Sequence, residues 1–185
     1  MEYQIPIIAE MVRQLLDYNP DTGIFIWRKR PISMFSDGKQ TAEHNCAIWN
    51  GKWSGNKAGV LMESGYIKIV INRKPYRAHR LAWVYIYGVW PKEIDHINGD
   101  RADNRIENLR VVTKSQNQMN RKALSRPTAS GVKGVTFHSK TGKWRTRIMV
   151  GKKMISLGLY ATVEEAASVR RKAAEKYHGV FARSA

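Results

Sequence analysis

Asp95 and His96 are neighbours in a short segment, residues 94–97, that has the composition of a β-strand. A histidine, with a pKa near ~6.5, can take a proton from water at neutral pH, and a carboxylate can hold a metal ion. Adjacent side chains of a strand point to opposite faces, so one can face a water and the other a metal. These are the groups that phosphodiester hydrolysis requires. An Asp-His dipeptide alone, however, is also common in purely structural positions.

Asn117 can complete a metal site with its carbonyl oxygen, since it lies on a helix predicted for residues 114–121. Ligation by one carboxylate and one amide favours Mg²⁺ or Mn²⁺ over zinc. Cys46 is the single cysteine, which excludes a four-cysteine zinc site and a disulfide framework. Taken alone, Asn108 is equally consistent with a helix cap, and Asn117 is equally consistent with an ordinary surface residue.

The elements around this pair form a compact order of strand, loop, strand and helix. Asn98-Gly99-Asp100 predicts a turn after the first strand, and residues 109–113 predict the second strand. Upstream, residues 78–87 have apolar side chains at helical spacing, and Gly88 and Pro91 end that helix. His79 opens the helix, where a histidine can contact a phosphate but more often caps or packs.

The first sixty residues predict a smaller set of elements. We expect a helix over residues 7–17, a turn over 19–23, a strand over 24–27 and loops over 36–59. Residues 66–72 alternate like a strand, and residues 73–75 predict the turn that follows it.

The C-terminal part predicts three strands and a helix. The strands span residues 131–138, 143–150 and 154–159, and a capping box at Thr162–Glu165 begins the helix. Alternation along the second strand predicts an inner face that packs on the helix and an outer face that is basic. The inner face holds Trp144, Thr146, Ile148 and Val150, and the outer face holds Arg145, Arg147 and Met149.

The charge of the chain indicates a polyanionic partner. Its 185 residues include 32 Lys and Arg against 15 Asp and Glu, a net charge of +17, of which residues 61–128 carry +7 and residues 129–185 carry +9. A solvated basic surface is the alternative, and RNA binding stays open from charge alone. No apolar run approaches the ~20 residues of a membrane span, and the N-terminus lacks a secretory pattern, so a cytoplasmic protein is expected.

Three segments resemble the HNH homing-type endonucleases of phages and mobile introns: AHRLAW at 78–83, IDHINGDRADNRIENLRVVT at 94–113 and KSQNQMN at 114–120. The resemblance implies the ββα-metal fold, with Asp95 as a metal ligand, His96 as the general base and Asn108 bracing the loop. Asn117 takes the last position of the motif, where many members have histidine, and is implied as the second metal ligand. The cofactor implied is Mg²⁺ or Mn²⁺.

The C-terminal part resembles the APETALA-two, or ethylene-response-factor type, DNA-binding domain. The segments that carry the resemblance are GVKGV at 131–135, GKW at 142–144, LGLY at 157–160 and TVEEAA at 162–167. Such domains lay a three-stranded sheet in the major groove with the helix behind it. The implied DNA contacts are Lys133, Thr136, His138, Arg145, Arg147, Met154 and Ser156. Lys152 and Lys153, in a turn, are expected to reach phosphates, and several positions depart from the plant pattern, so the plant target sequence is not carried over.

The sequence thus predicts an α+β chain in which a ββα-metal nuclease module precedes a three-stranded antiparallel sheet packed on one helix. The expected parts are a leader at 1–60, the nuclease module at 61–122, a linker at 123–129 and a DNA-binding domain at 130–185. The expected function is endonucleolytic cleavage of double-stranded DNA, with no membrane and no obligate protein partner. A DNA-binding regulator with an inactive HNH fold is the alternative.

Overall fold

A computed structural model describes residues 8–113, 116–117, 129–151 and 153–179. The chain divides into two compact units, Met1–Val111 and Val112–Ala185. Both are mixed α+β, as predicted, and the sheets in the described ranges are small and antiparallel. None of the helices in those ranges is long and apolar enough to cross a membrane.

The first unit opens with a short helix that leads directly into a β-hairpin. Helix α1 (Ala9–Leu15) is followed by strands β1 (Leu16–Asn19) and β2 (Ile24–Trp27). The predicted strand and turn are confirmed, but the predicted helix is shorter than 7–17. Leu16 and Tyr18 are buried in β1 beside Phe25 of β2, so pairing in the hairpin ends the helix at Leu15.

Residues 36–59 contain a helix where the sequence predicted loops. Helix α2 (Ala42–Trp53) begins at Thr41, whose side chain accepts a hydrogen bond from the backbone of His44. Within α2 only Cys46 is buried, so its apolar residues do not form the stripe that marks a helix in a sequence. Gly51 lies inside the helix and further weakens the pattern.

A three-stranded sheet and a helix follow. Strand β4 (Ile67–Ile71) pairs with β3 (Val60–Leu61) on one side and β5 (Lys74–Arg77) on the other. The turn between β4 and β5 is Asn72-Arg73, both with positive φ, rather than 73–75 as predicted. Helix α3 (Ala78–Tyr87) has the predicted bounds and ends at Gly88, which is left-handed with φ 76°.

The segment that carries Asp95 and His96 is a two-stranded ribbon. Strand β6 (Ile94–His96) pairs with β7 (Leu109–Val111), and a loop with a short 3₁₀ turn at Ile106–Asn108 joins them. All three residues of β6 are buried. The predicted strand, loop and strand are therefore confirmed.

One hydrophobic core holds the first unit together and includes the leader. Side chains of α1, β1 and β2 pack in the same cluster as those of β4, α3, β6 and β7; its members include Val12, Leu16, Phe25, Ile69, Leu81, Val84, Ile94 and Leu109. Arg13 of α1 also donates from Nε to the backbone oxygen of Tyr85 in α3, at 2.9 Å. The leader therefore supports the ribbon directly.

The turn of the first hairpin touches the loop of the ribbon. Gly23 has φ 70°, and a Cβ at this position would lie 2.5 Å from backbone atoms of Asn104 and Arg105. Gly55 has φ 78° but open space around its Cα. We expect Gly23→Ala to lower the free energy of unfolding by about 1–3 kcal/mol more than Gly55→Ala, because only the first adds overpacking to backbone strain. Urea denaturation measures both, and equal losses would show that the contact does not matter.

The second unit begins with a helical turn and contains the C-terminal sheet. Strands β8 (Val135–His138), β9 (Lys143–Val150) and β10 (Lys153–Tyr160) form an antiparallel sheet in the order β10-β9-β8. Helix α4 (Val163–His178) packs on the sheet and begins with the predicted capping box at Thr162. The first strand is shorter than predicted, since residues 131–134 form a turn before it. The linker prediction falls mostly on residues outside the described ranges.

Alternation along β9 sorts its side chains as predicted. Ile148 is buried and packs with Ala173 and Ala174 of α4, together with Val150. Thr146 is also fully buried on that face. On α4, Tyr177 is 40% exposed, whereas Arg170 is buried. Trp144 instead makes an edge contact with Phe137 at 5.2 Å.

Candidate active site and basic sheet

His96 is buried and held by the side chain of Asn104. Its Nε2 lies 3.3 Å from Asn104 Oδ1. The Asn104 amide is itself oriented, because its Nδ2 donates to the Ala102 oxygen at 3.1 Å. A bond to an amide oxygen requires the proton on His96 Nε2, so this tautomer has the ring's lone pair on Nδ1. The contact with Asn104 thus fixes the orientation of the His96 ring.

Burial keeps both histidines of this region neutral. Burial lowers the pKa of His96, although the hydrogen bond to Asn104 and nearby carboxylates of Asp95, Asp100 and Asp103 act in the opposite direction. The ring of His79 lies 4.9 Å from that of His96, and burial, followed by His96 and the cations of Arg77 and Arg80, lowers the pKa of His79 to about 3. A neutral histidine can act as a base near neutral pH, whereas a protonated one cannot.

Asp95 forms an ion pair across the ribbon. Arg110, its register partner in β7, donates to Asp95 Oδ2 from Nη2 at 2.8 Å and from Nε at 3.1 Å. The side chains are 9% and 16% exposed, so the pair is largely buried. A metal ion at Asp95 would therefore share this carboxylate with a guanidinium.

Asn108 holds the two ends of the ribbon loop together. Its Nδ2 donates to Asn98 Oδ1 at 3.0 Å and to the Asp103 backbone oxygen at 2.8 Å. Its Oδ1 accepts from the backbone of Asn98 at 3.0 Å. Asp103 is held in turn by Arg105, whose hydrogen bonds lower the Asp103 pKa to about 2. These bonds fix the loop that carries Asn104.

Asn117 lies in the second unit, in the first turn of a helix. Its backbone N–H donates to the Thr113 oxygen at 3.0 Å. Thr113 and Gln116 form reciprocal side-chain bonds at 2.8 and 3.2 Å, which is a capping pattern. The rest of the helix predicted for 114–121 lies outside the described residues. The structure thus brings Asp95, His96 and Asn108 together within the first unit and assigns Asn117 to the other unit.

Two residues of the site had no role in the sequence analysis. Asn104 is 1% exposed and orients His96, and its backbone oxygen accepts a hydrogen bond from Tyr18 at 2.7 Å. Arg110 pairs with Asp95. Position 110 is opposite Asp95 only once the register of the ribbon is known, so the strand pattern alone does not reveal the pair. Asn104, a polar residue between two predicted strands, was visible in the motif but reads equally well as a loop residue.

The outer face of the C-terminal sheet collects most of the predicted contact residues. Arg145 is the register partner of Thr136, and Arg147 is the partner of Ser156. His138 of β8 is the register partner of Lys143, and Met154 of β10 is the partner of Met149, so both lie on the same face as the two arginines. Thr136 Oγ1 and Arg145 Nε are buried and have no hydrogen-bond partner among the described residues. The sheet thus presents guanidinium, hydroxyl and imidazole groups on one face.

The remaining predicted contacts lie at the margins of this sheet. Lys133 is half-buried in the turn before β8, and Lys153 is exposed at the start of β10. Lys152 lies outside the described residues. The ring of His138 is bonded through Nδ1 to Thr141 Oγ1 at 2.9 Å, which fixes its orientation in the turn after β8.

Few metal-type ligands lie near one another in the described part of the chain. In the described ranges, no group of three or more His, Cys, Asp or Glu side chains is arranged to hold a metal ion. Cys46, the one cysteine of the chain, is buried, and its Sγ lies 3.4 Å from the Arg30 backbone oxygen. The Asp95 carboxylate, next to His96 on β6, is the oxygen ligand that this segment offers to a metal ion.

Comparison with known proteins connects the chain to a plant and a phage protein. It is 25% identical over 176 residues to the AP2-like ethylene-responsive transcription factor ANT of Arabidopsis thaliana. That alignment covers 85% of this chain but 31% of the plant protein, so the chain spans about a third of that relative's length. No solved structure matches the chain at a significant level.

A family model and a phage protein also match the chain. A family model described as HNH endonuclease matches residues 76–119, which include α3 and the β6–β7 ribbon. Protein 3.8 of Escherichia phage T7 is 31% identical over 112 residues, which cover 60% of this chain and 91% of the phage protein. The chain therefore belongs to the family of phage T7 protein 3.8, and the segment that holds Asp95, His96 and Asn108 is its HNH endonuclease match.

Proposed function

We propose that this chain is a metal-dependent endonuclease of the HNH homing type that hydrolyses phosphodiester bonds of double-stranded DNA. The observation that carries the proposal is His96, a buried neutral histidine fixed through Nε2 by Asn104 and adjacent to Asp95 on β6. A base of this kind needs a fixed orientation and an accessible lone pair to act at neutral pH. The net charge of +17 supports a polyanionic substrate.

In the proposed reaction His96 acts on the attacking water. The imidazole takes one proton while the water oxygen forms a bond to phosphorus. The P–O bond to the leaving oxygen breaks, and that oxygen is protonated from solvent, which leaves one phosphate terminus and one hydroxyl terminus. Asn104 and Asn108 are positioning residues, since the first orients His96 and the second holds the loop.

Asp95 and Asn117 are the proposed ligands of one Mg²⁺ or Mn²⁺ ion. When bound, such an ion neutralises charge at the phosphate and stabilises the leaving oxygen. Asp95 contributes a carboxylate from the middle of β6, and Arg110 keeps that carboxylate in place through two hydrogen bonds. Asn117 contributes an amide oxygen from the first turn of its helix.

Incubation of supercoiled plasmid with the purified protein tests the function. Conversion to nicked or linear DNA with Mg²⁺ or Mn²⁺, and no conversion with EDTA, is the expected result. Tight binding of the plasmid without cleavage under every metal condition would instead favour a DNA-binding regulator with an inactive HNH fold. The Asp95–Arg110 ion pair is the observation on which that second function would rest.

We propose that the C-terminal sheet positions the nuclease on DNA through its outer face. The plant relative is named a transcription factor, and Arg145 and Arg147 lie side by side on this face at alternate positions of β9. Lys133 and His138 would add contacts along β8, and Lys152 and Lys153 would reach phosphates.

Arginine and lysine substitutions in this sheet should have separable effects. Arg145→Ala or Arg147→Ala should weaken binding to a selected site by about 1–3 kcal/mol and relax base preference, because a bidentate arginine reads guanine. Lys152→Ala or Lys153→Ala should weaken binding to all sequences alike and reduce its salt dependence. Sites selected from a random duplex library, followed by anisotropy titrations, measure both. Unchanged base preference in the arginine variants would remove the sheet from sequence recognition.

A further inference from the structure

Tyr66 is the centre of a cluster of cations and histidines in the first unit. The guanidinium carbon of Arg77 lies 4.3 Å from the centroid of the Tyr66 ring, and that of Arg101 lies 4.9 Å from it. The same ring lies 5.2 Å from that of His79 and 6.0 Å from that of His96. The two arginines are thus gathered beside the proposed base. We call Tyr66, Arg77 and Arg101 the Tyr66 clamp.

The charges of the clamp are not neutralised within the protein. Both arginines are exposed, and within the described ranges no carboxylate forms an ion pair with either guanidinium. Arg101 donates from Nη1 to the Ser64 backbone oxygen at 2.9 Å. This bond fixes the side chain, but a neutral carbonyl oxygen does not neutralise its positive charge. Two like charges held over one ring repel each other, and an anion between them would relieve that repulsion.

The backbone beside the clamp also favours an anion. Arg77 is the N-cap of α3, and its side chain makes no capping bond, so the first N–H groups of the helix are not capped by a side chain. His79, in the first turn, is 5% exposed, and its Nδ1 has no hydrogen-bond partner. The low pKa of this ring, at about 3, keeps it uncharged, so it does not compete with the arginines for the anion.

We propose that the Tyr66 clamp is a binding site for a backbone phosphate of DNA next to the bond that is cut. Arg77 and Arg101 would contact the phosphate oxygens, while Tyr66 holds both guanidinium groups in place by cation–π contact. This inference deepens the proposed nuclease function and rests on it. A purely structural role for the two arginines is the alternative, but exposed cation–π contacts contribute little stability and do not need two cations on one ring.

The test compares single variants in duplex DNA binding without metal. Arg77→Ala and Arg101→Ala in the full chain are titrated against a fluorescent 30-base-pair duplex in EDTA, at several salt concentrations. Arg28→Ala is the matched control, because it removes an equal charge from the same unit but from an arginine paired with Asp17. Circular dichroism confirms folding, and Arg77→Gln or Arg101→Gln replaces any alanine variant that does not fold.

Each clamp variant should bind the duplex about 10- to 100-fold more weakly than wild type, regardless of sequence, and should reduce the salt-dependence slope by about 1. Cleavage of plasmid with Mg²⁺ should fall in kcat/KM by a similar factor. Arg28→Ala should bind and cleave like wild type.

If the clamp variants match Arg28→Ala in affinity and in the slope of the salt dependence, the inference is wrong, even where the wild type cleaves DNA. If wild type fails to cleave but the clamp variants lose affinity and slope, the phosphate site stands and the nuclease proposal falls.

Discussion

Replacing His96 with alanine should slow DNA cleavage by about 10²- to 10⁴-fold while leaving DNA affinity near that of the wild type. The substitution removes the group that takes the proton from the attacking water, but it removes no cation from the DNA-facing surface. His96 is buried and its Nε2 is engaged by Asn104, so the ring is fixed in one orientation. Single-turnover cleavage with Mg²⁺ gives the rate, and anisotropy in EDTA gives the affinity.

His44→Ala is the control for this substitution. His44 is exposed in the first turn of α2, so its removal should change neither rate nor affinity. Alanine at position 96 also leaves a cavity and an Asn104 amide without its partner, so thermal unfolding must show that the variant is folded. Asn104→Ala should show a smaller loss of rate, because it removes the orientation of the base and keeps the base itself. Undiminished cleavage by a folded His96→Ala variant would exclude His96 as the base.

The local elements of this fold are largely visible in the sequence. Helix α3 and the capping box of α4 were predictable because Gly88 and Thr162 carry strong local stop and start preferences. The sheet faces of β9 follow from alternation alone. Helix α2 was missed, because it buries little more than Cys46 and therefore shows no apolar period. Strand β1 was missed, because its pairing with β2 overrides a helical pattern that continues past Leu15.

The main residues of the candidate site could be predicted from the sequence, but the contacts that hold them in place could not. Asp95 and His96 are adjacent, and their spacing to Asn108 is the motif that carries the resemblance. The partners that fix them come from distant positions or from the loop: Arg110 from the opposite strand, Asn104 from the loop, and Tyr18 from the first hairpin. Tyr66 meets Arg101 only because the β4 sheet and the ribbon loop come together in the folded unit. Such contacts depend on tertiary packing and leave no local signal.

Replacing Asp95 with alanine should have two effects that can be separated. The proposed metal ligand is lost, so cleavage should fall by about 10³-fold or more, a loss of roughly 4 kcal/mol of transition-state stabilisation. The ion pair is also lost, and a largely buried Arg110 without the Asp95 carboxylate should cost about 3–5 kcal/mol of folding stability. Calorimetric titration with Mn²⁺ measures the first effect independently of cleavage, and urea denaturation measures the second.

The double variant Asp95→Ala, Arg110→Met distinguishes the two roles of Asp95. Methionine removes the guanidinium that has lost the Asp95 carboxylate and fills similar volume, so most of the lost stability should return, as in other replacements of buried ion pairs by apolar residues. Cleavage and Mn²⁺ binding should remain absent, because no carboxylate has been restored. Asp17→Asn is the control for loss of an exposed ion pair, and it should change stability by no more than about 1 kcal/mol and leave cleavage unchanged. If the double variant regains cleavage together with stability, Asp95 acts through the fold of the ribbon, and the metal must be held by other residues.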